Sequence, residues 1–370
     1  MFLVNIRKQI ALKKVYNKSI IETAKRKGDG IMVRVGIVGC GSIGRVHAMS
    51  LNGLSGVSLC AFADIHKERA EEYSKEYTGG EGRAYESLEE MLQKEDLEAV
   101  HICTPHFCHT DLAVEGLEKG ISVFMEKPPA ITREQFVRLS KAEQASKGRL
   151  GICFQNRYNE TTKEVSRILK EEILGKVKGG RAFVTWNRGQ SYYTESEWRG
   201  SLQTEGGGAL MNQSIHTLDL LLHWLGRPVR TEATIRNHHL KCVIEVEDMV
   251  EAYMEFTKGD DPVRATFYAT TAFGYDAPVF IELVCEKGVI RLEGGSVWYR
   301  TWEDEEPVYF QAAKGLAPGK EYWGRGHEAC IRDFYHCLLT KEAYGNDLSS
   351  VENTFFTVMD IYDSARNKER

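Results

Sequence analysis

The chain is poor in proline, with eight in 370 residues, and it has no low-complexity tract. Both absences argue against long disordered segments, whose composition is too polar to bury a core. No apolar run approaches the eighteen or so residues of a membrane-spanning helix, so none is expected. The nine cysteines (40, 60, 103, 108, 153, 242, 285, 330 and 337) contain no Cys-x-x-Cys pair. Odd in number and scattered, they look like reduced thiols and not like a disulfide framework, so a cytoplasmic location is expected. Their one dense grouping, His101, Cys103, His106, Cys108 and His109, has ligand-type side chains. However, 99–104 alternates like a buried strand and turns neighbouring members to opposite faces. A tetrahedral site would also need a second ligand pair nearby, so no metal is expected.

Outside the first segment acidic residues outnumber basic ones. The net charge is −5, but residues 1–31 alone carry +6, which leaves −11 for the rest. An acidic body has the wrong sign for phosphate backbones, so nucleic acid is not an expected partner. The basic leader lacks the apolar core and small-residue cleavage site of a secretory signal. It is expected to be an upstream start or a loose extension, because Met32 directly precedes the first strand. Hydrophobic residues at 42% and charged residues at 27% are the balance of a globular protein, and the length suits about two domains. The expected division is 32–155 for the first and 156–370 for the second.

Val33–Gly39 is a short apolar run that reads as a buried parallel strand. It runs into Gly39-Cys-Gly41-Ser42-Ile43-Gly44, and helical character follows. That strand–GxGxxG–helix context is the one a dinucleotide site needs. Gly39 allows the tight turn, Gly41 lets the backbone approach a pyrophosphate, and Gly44 lets helix and strand pack closely. A second strand, 57–63, delivers Asp64 where a carboxylate meets the adenosine ribose hydroxyls, which favours NAD over NADP. Strands near 99–104, 122–125 and 150–155 then alternate with helices, so the first half is expected to be a doubly wound Rossmann sheet. Ligands lie at the carboxyl ends of such strands, here Gly39–Gly44, Asp64, Thr104-Pro105, Glu126-Lys127-Pro128 and Gln155-Asn156-Arg157.

Pro128 holds Lys127 in an extended conformation at a rigid strand end. Shielded from water beside a substrate hydroxyl, such a lysine would have a lowered pKa and could share in proton transfer. Alone, a strand-end lysine is more often a solvated charge. Downstream, Gly206-Gly-Gly opens a segment that reads as one helix from Ala209 to Gly226. Asn212, His216, Asp219 and His223 form a polar stripe without Lys, Glu or Arg, a pattern that lines a cleft or a hydrogen-bonded interior. From Asn156 onward, a helix and long alternating strands predict an α+β domain with a large open, mostly antiparallel sheet. Its outer face carries enough Val, Phe and Tyr to predict a homodimer or homotetramer.

Taken together, the chain resembles the glucose–fructose oxidoreductase / inositol dehydrogenase / MocA-like (Gfo/Idh/MocA) oxidoreductases over essentially all of 32–370. The resemblance rests on Gly39–Gly44, Thr104-Pro105 with His109, Glu126-Lys127-Pro128 and Gly206–Asp219, in that order. Trp198-Arg199-Gly200 is similar to the sugar-active members. The resemblance implies that Lys127 is the catalytic lysine, that His216 is the acid/base with Asn212 beside it in the catalytic set, and that Thr104, Pro105, His109, Glu126 and Lys127 belong to the NAD site. Trp198, Arg199, Arg157, Asn212 and His216 are expected to face the substrate, a sugar, cyclitol or glycoside. Many members carry Asp where this chain has Asn212. Asn cannot take a proton but can hold a hydroxyl, which implies an altered substrate and not a dead enzyme. Three other readings stay open: an enzyme that retains NAD while transiently oxidising a glycoside C3 hydroxyl, a non-enzymatic NAD-binding sensor, and a reductase of a non-sugar carbonyl or dihydrodiol. Trp186, Tyr192, Tyr193 and Trp198 are expected to stack on the substrate and would do so equally well on a sugar or an aglycone.

Overall fold

A computed structural model describes residues 32–258, 261–312 and 326–368; the basic leader lies outside them. The first six strands are β1 (Val33–Val38), β2 (Val57–Ala63), β3 (Arg83–Tyr85), β4 (Ala99–Ile102), β5 (Ser122–Glu126) and β6 (Leu150–Cys153). They form one parallel sheet in the order β3-β2-β1-β4-β5-β6. Helices cover both faces, which is why β1, β4, β5 and β6 read as nearly unbroken apolar runs. Strand order reverses between β1 and β4, where their carboxyl ends open the crevice that doubly wound sheets use for ligands. Sequence periodicity misses β3, a three-residue edge strand with too few residues to show alternation.

The next eight strands are β7 (Val177–Thr185), β8 (Arg230–Arg236), β9 (Met249–Lys258), β10 (Asp261–Thr270), β11 (Phe280–Cys285), β12 (Gly288–Glu293), β13 (Ser296–Thr301) and β14 (Val308–Gln311). Their order is β14-β13-β12-β11-β7-β10-β9-β8. The pairings are antiparallel except for β7 with β10, because the first strand of the group inserts between two later ones. One face buries Ala182, Ile281, Leu283, Ile290, Leu292 and Val297 against helices. Each of the Ile, Leu and Val side chains contributes about 1.5–3 kcal/mol.

The opposite face is less apolar than expected. Register aligns Arg181, Glu282, Arg291 and Trp298 in one row. Glu282 accepts from both arginines, and Arg291 stacks over Phe280 and Trp298. Ion pairs and aromatic rings therefore share that surface.

Two features of the second half serve the first sheet. The helix Gly326–Thr340 returns to pack Cys330, Ile331, Phe334 and Tyr335 against Val35, Ile37 and Phe124. The triple glycine is forced by packing. A Cβ on Gly207 would stand 1.9 Å from the Tyr362 hydroxyl, and one on Gly208 would stand 2.2 Å from the Glu247 carbonyl.

The segment after it departs from the single helix expected. Ala209–Ser214 is a π-helix, and only Ile215–Leu225 is α-helical. The buried Glu247 carboxylate accepts from the N–H groups of Gly208 and Leu210, and the Ser214 hydroxyl donates to the Ala209 carbonyl; these contacts hold the wider turn. Such turns recur at functional sites.

Candidate active site

The glycine loop has the geometry of a phosphate cradle. Gly39, with φ +93°, lies so close to β4 that a Cβ would be 2.6 Å from the Cys103 carbonyl. A Cβ on Gly44 would be 2.4 Å from the Gly39 carbonyl, whereas Gly41 faces open space. The helix Ser42–Asn52 starts immediately after, with its first N–H groups aimed at that space. Ser42 and Ile43 form its first turn. At the end of β2, Asp64 accepts from the N–H groups of Cys40 and His66, both at 2.9 Å. This leaves carboxylate lone pairs for ribose hydroxyls. On the facing side Thr104 keeps a buried hydroxyl without a hydrogen-bond partner. His109 spans the two strand ends, its ring nitrogens each 2.8 Å from the carbonyls of Thr104 and Pro128. Burial lowers its pKa, so the neutral ring donates to one carbonyl at a time. Pro105 caps the helix His106–Glu118 beside it. Open space over Gly41, the orphan hydroxyl and the strand-end carboxylate fit a dinucleotide.

Asp64→Ala is expected to narrow a preference for NAD over NADP. It removes the ribose acceptor and the repulsion of a 2′-phosphate together. Comparing kcat/KM for the two cofactors tests this, and equal use of both by the unmutated protein overturns it.

β5 delivers Glu126 and Lys127, and the Lys127–Pro128 peptide is cis. Glu126 is buried beneath the cleft and accepts from the His47 ring at 3.0 Å. Burial alone would raise its pKa, but His47, His327 and Lys127 override that and hold the carboxyl well below its ordinary range. His47 in turn meets His101 at 2.8 Å, and His101 meets the Tyr335 hydroxyl at 2.9 Å. Each ring can donate once and accept once along this chain, so neutral tautomers satisfy it. His106 meets the Glu205 carbonyl at 2.8 Å. The dense His/Cys grouping of the sequence is thus dispersed among three different sets of partners. A different trio, His47, Glu126 and Cys153, brings three ligand-type atoms within 4.8 Å of one another.

Lys127 Nζ donates to the main-chain carbonyl of Asn212 at 2.9 Å and to its Oδ1 at 3.3 Å. Burial lowers the Lys127 pKa, while Glu126 and Glu205 oppose the drop. His216 lies on the following turn. Gln155, at the end of β6, approaches its Nε2 at 3.3 Å, and its Nδ1 is buried without a partner. Burial and the nearby Lys127 ammonium push the imidazole well below the usual histidine range, so His216 is neutral at physiological pH. Trp198 packs on His106 with ring centroids 4.7 Å apart. The Arg199 guanidinium lies 4.3 Å above Tyr192 and 5.4 Å from Trp198.

Three expectations are corrected. Arg157 has no donor left for substrate, because all five are taken by Asp219, Asn346 and Ser350. The polar stripe of the 209–225 segment breaks apart. Asn212 and His216 reach toward Lys127, Asp219 is buried against Arg157 and Thr354, and His223 is exposed. Among the aromatic residues, Tyr193 is buried in a small cluster with Leu240, Ile244 and Val246 and not in the cleft. Because Arg157 and Asp219 are both almost fully buried, Arg157→Met should cost about 3–5 kcal/mol in a denaturant titration by leaving Asp219 uncompensated. A loss within experimental error overturns that reading.

Sequence reading missed Glu205, a buried carboxylate. Its Oε1 accepts from Asn212 Nδ2 at 2.5 Å, and its Oε2 accepts from the Gly200 N–H at 2.6 Å. Its only signal was an acidic residue directly before the triple glycine.

Comparison with known proteins settles the lineage. Residues 33–154 match the oxidoreductase family with an NAD-binding Rossmann fold, and residues 162–291 match the GFO/IDH/MocA C-terminal domain. The chain belongs to the Gfo/Idh/MocA oxidoreductase family. It is 27% identical to inositol 2-dehydrogenase of Rhizobium meliloti (strain 1021) over 321 residues, which are 86% of this chain and 87% of that one. It is 25% identical to glucose-6-phosphate 3-dehydrogenase of Bacillus subtilis (strain 168) over 228 residues, 60% and 63% of the two chains. It also superposes on the WlbA dehydrogenase from Bordetella pertussis, solved with NADH and UDP-GlcNAcA. The TM-score is 0.79 at 26% identity, covering 91% of this chain and 96% of that one. The protein is therefore an NAD-binding oxidoreductase acting on CH–OH groups. Among the described residues no helix is long and apolar enough to cross a membrane.

Proposed function

We propose that this Gfo/Idh/MocA oxidoreductase interconverts a secondary hydroxyl and a ketone on a sugar ring, cyclitol or glycoside, with Lys127 and His216 acting on the reacting oxygen. The observation that carries this reading is the convergence of Lys127, Asn212 and His216 beside the strand-order reversal that the glycine loop occupies. NAD held by Gly39–Gly44, Asp64, Thr104, Pro105, His109 and Glu126 supplies the hydride acceptor. In the oxidative direction neutral His216 takes the hydroxyl proton, and Lys127 donates to the same oxygen as negative charge develops there. Gln155 donates to His216 Nε2 in the resting site and places the ring proton on Nδ1; the substrate hydroxyl displaces that contact, because the neutral ring has a single lone pair with which to take the proton. Asn212 orients a neighbouring hydroxyl, and Trp198 offers an apolar face to the ring. Relatives named for inositol, glucose 6-phosphate and a nucleotide-linked uronate support a polyol substrate.

A screen of sugars, inositols, uronates and glycosides with NAD, read at 340 nm, tests the proposal. Activity on at least one ring hydroxyl is expected, and silence across the panel in both directions overturns it. The assembly is read as a homodimer or homotetramer built on the outer sheet face, which light scattering checks. A cytoplasmic location rests on nine unpaired thiols.

A further inference from the structure

Glu205 sits where three parts of the site meet. Its carboxylate accepts from Gly200, which follows Trp198 and Arg199, and from the Asn212 side chain. Its main-chain carbonyl accepts from His106, beside the cofactor crevice. Only 1% of the residue is exposed. The contact with Asn212 fixes an otherwise ambiguous amide. Because Nδ2 donates to Glu205, Oδ1 is the end that faces Lys127, 3.3 Å from Nζ. A carboxylate, an amide and an ammonium thus run in one hydrogen-bonded line, each donor meeting an acceptor.

We propose that Glu205 is a positioning residue for Lys127: it locks the Asn212 amide toward the ammonium and supplies, through that amide, the buried negative charge that faces it. Position 212 is an uncharged amide, so the negative charge behind it is that of Glu205, one hydrogen bond further back. The inference rests on the reading of Lys127 as a catalytic group.

Electrostatics agree with the geometry. The titratable and charged groups facing Lys127 are Glu126 on its own strand, Glu205, the Cys153 thiol and Arg199, with the rings of His106, His109, His216 and His327 around them. Burial pushes Lys127 down, and Glu205 is one of the groups that hold it up. Burial also pushes Glu205 itself up to about 7. The lock therefore tightens as pH rises through neutrality and Glu205 gains its charge.

The test reads Lys127 without a substrate, so its failure is distinguishable from failure of the proposed reaction. Competitive labelling with acetic anhydride over a pH series, followed by peptide mass spectrometry, gives the titration of Lys127 relative to exposed Lys75. Glu205→Gln should shift the Lys127 titration downward and leave Lys75 unchanged, because an opposing charge is lost. Adding Asn212→Asp to that variant moves a carboxylate next to Nζ, with the new side-chain amide at position 205 donating to it. This double variant should restore the titration to the original value or above. Asn212→Asp alone should shift it upward, which keeps the test usable if Glu205→Gln does not fold. An unmoved Lys127 in a folded Glu205→Gln protein overturns the proposal. So does a downward shift that the double variant fails to reverse, because a merely structural role would not follow the charge.

Discussion

Lys127→Ala is expected to lower kcat by at least about 10²-fold while NAD binding survives, the usual scale for losing one proton-transfer or electrostatic group. The reason is in how the amine is held. Nζ is drawn to the carbonyl and Oδ1 of Asn212, toward the helix that carries His216 and not toward the glycine loop. Its removal leaves Gly39–Gly44 and Asp64 untouched, so the dinucleotide keeps its contacts. The reacting oxygen loses the cation that donates to it at the moment its charge develops. Burial also lowers the pKa of the amine, which brings proton exchange closer to physiological pH. Lys127→Arg should fare little better, because a guanidinium stays charged and presents a rigid fork where a compact ammonium sat. Steady-state kcat together with an NADH fluorescence titration separates the two effects. Near-normal turnover in the alanine variant removes Lys127 from the mechanism, and loss of NADH binding relocates it to the cofactor site.

The Rossmann half was legible because its signals are local. A buried parallel strand is a continuous apolar run, and the Gly39, Gly41 and Gly44 spacing reports close approaches that only glycine allows. Short edge strands such as β3 and β14 carry too few residues to show a period. The π-turn at Ala209–Ser214 was hidden for a related reason, since over six residues its period cannot be told from that of an α-helix. Arg157 and Asp219 each lie where a ligand group would lie, and only their mutual contact shows that they hold the fold. Glu205 is the clearest case of tertiary information. An acidic residue beside three glycines looks like a solvated loop, yet Gly200, His106 and Asn212 close around it from three segments. Local pattern can suggest a lysine and a histidine as partners in chemistry. It cannot show which carboxylate stands behind them.

The division of labour between His216 and Asn212 gives the second large effect. His216→Ala should cost far more in kcat than Asn212→Ala, because the first removes the base and the second removes only a side-chain contact. The main-chain carbonyl of residue 212, which makes the shorter of the two contacts with Lys127, survives the alanine substitution. Asn212→Ala should therefore raise KM more than it lowers kcat, the pattern of lost positioning. Asn212→Asp gives the complementary test through pH. His216 must be neutral to accept the hydroxyl proton, and burial with Lys127 nearby already holds it well below the usual histidine range. The acidic limb of the oxidation profile should accordingly lie at low pH in the unmutated protein. A carboxylate at 212 favours the imidazolium, so a higher pH is needed to clear the proton and the limb moves upward. The same charge should penalise anionic substrates more than neutral ones. A kcat/KM profile of the Asp variant whose acidic limb stays in place contradicts the pairing of the two residues. If Asn212→Ala abolishes turnover while His216→Ala retains most of it, the two roles are reversed.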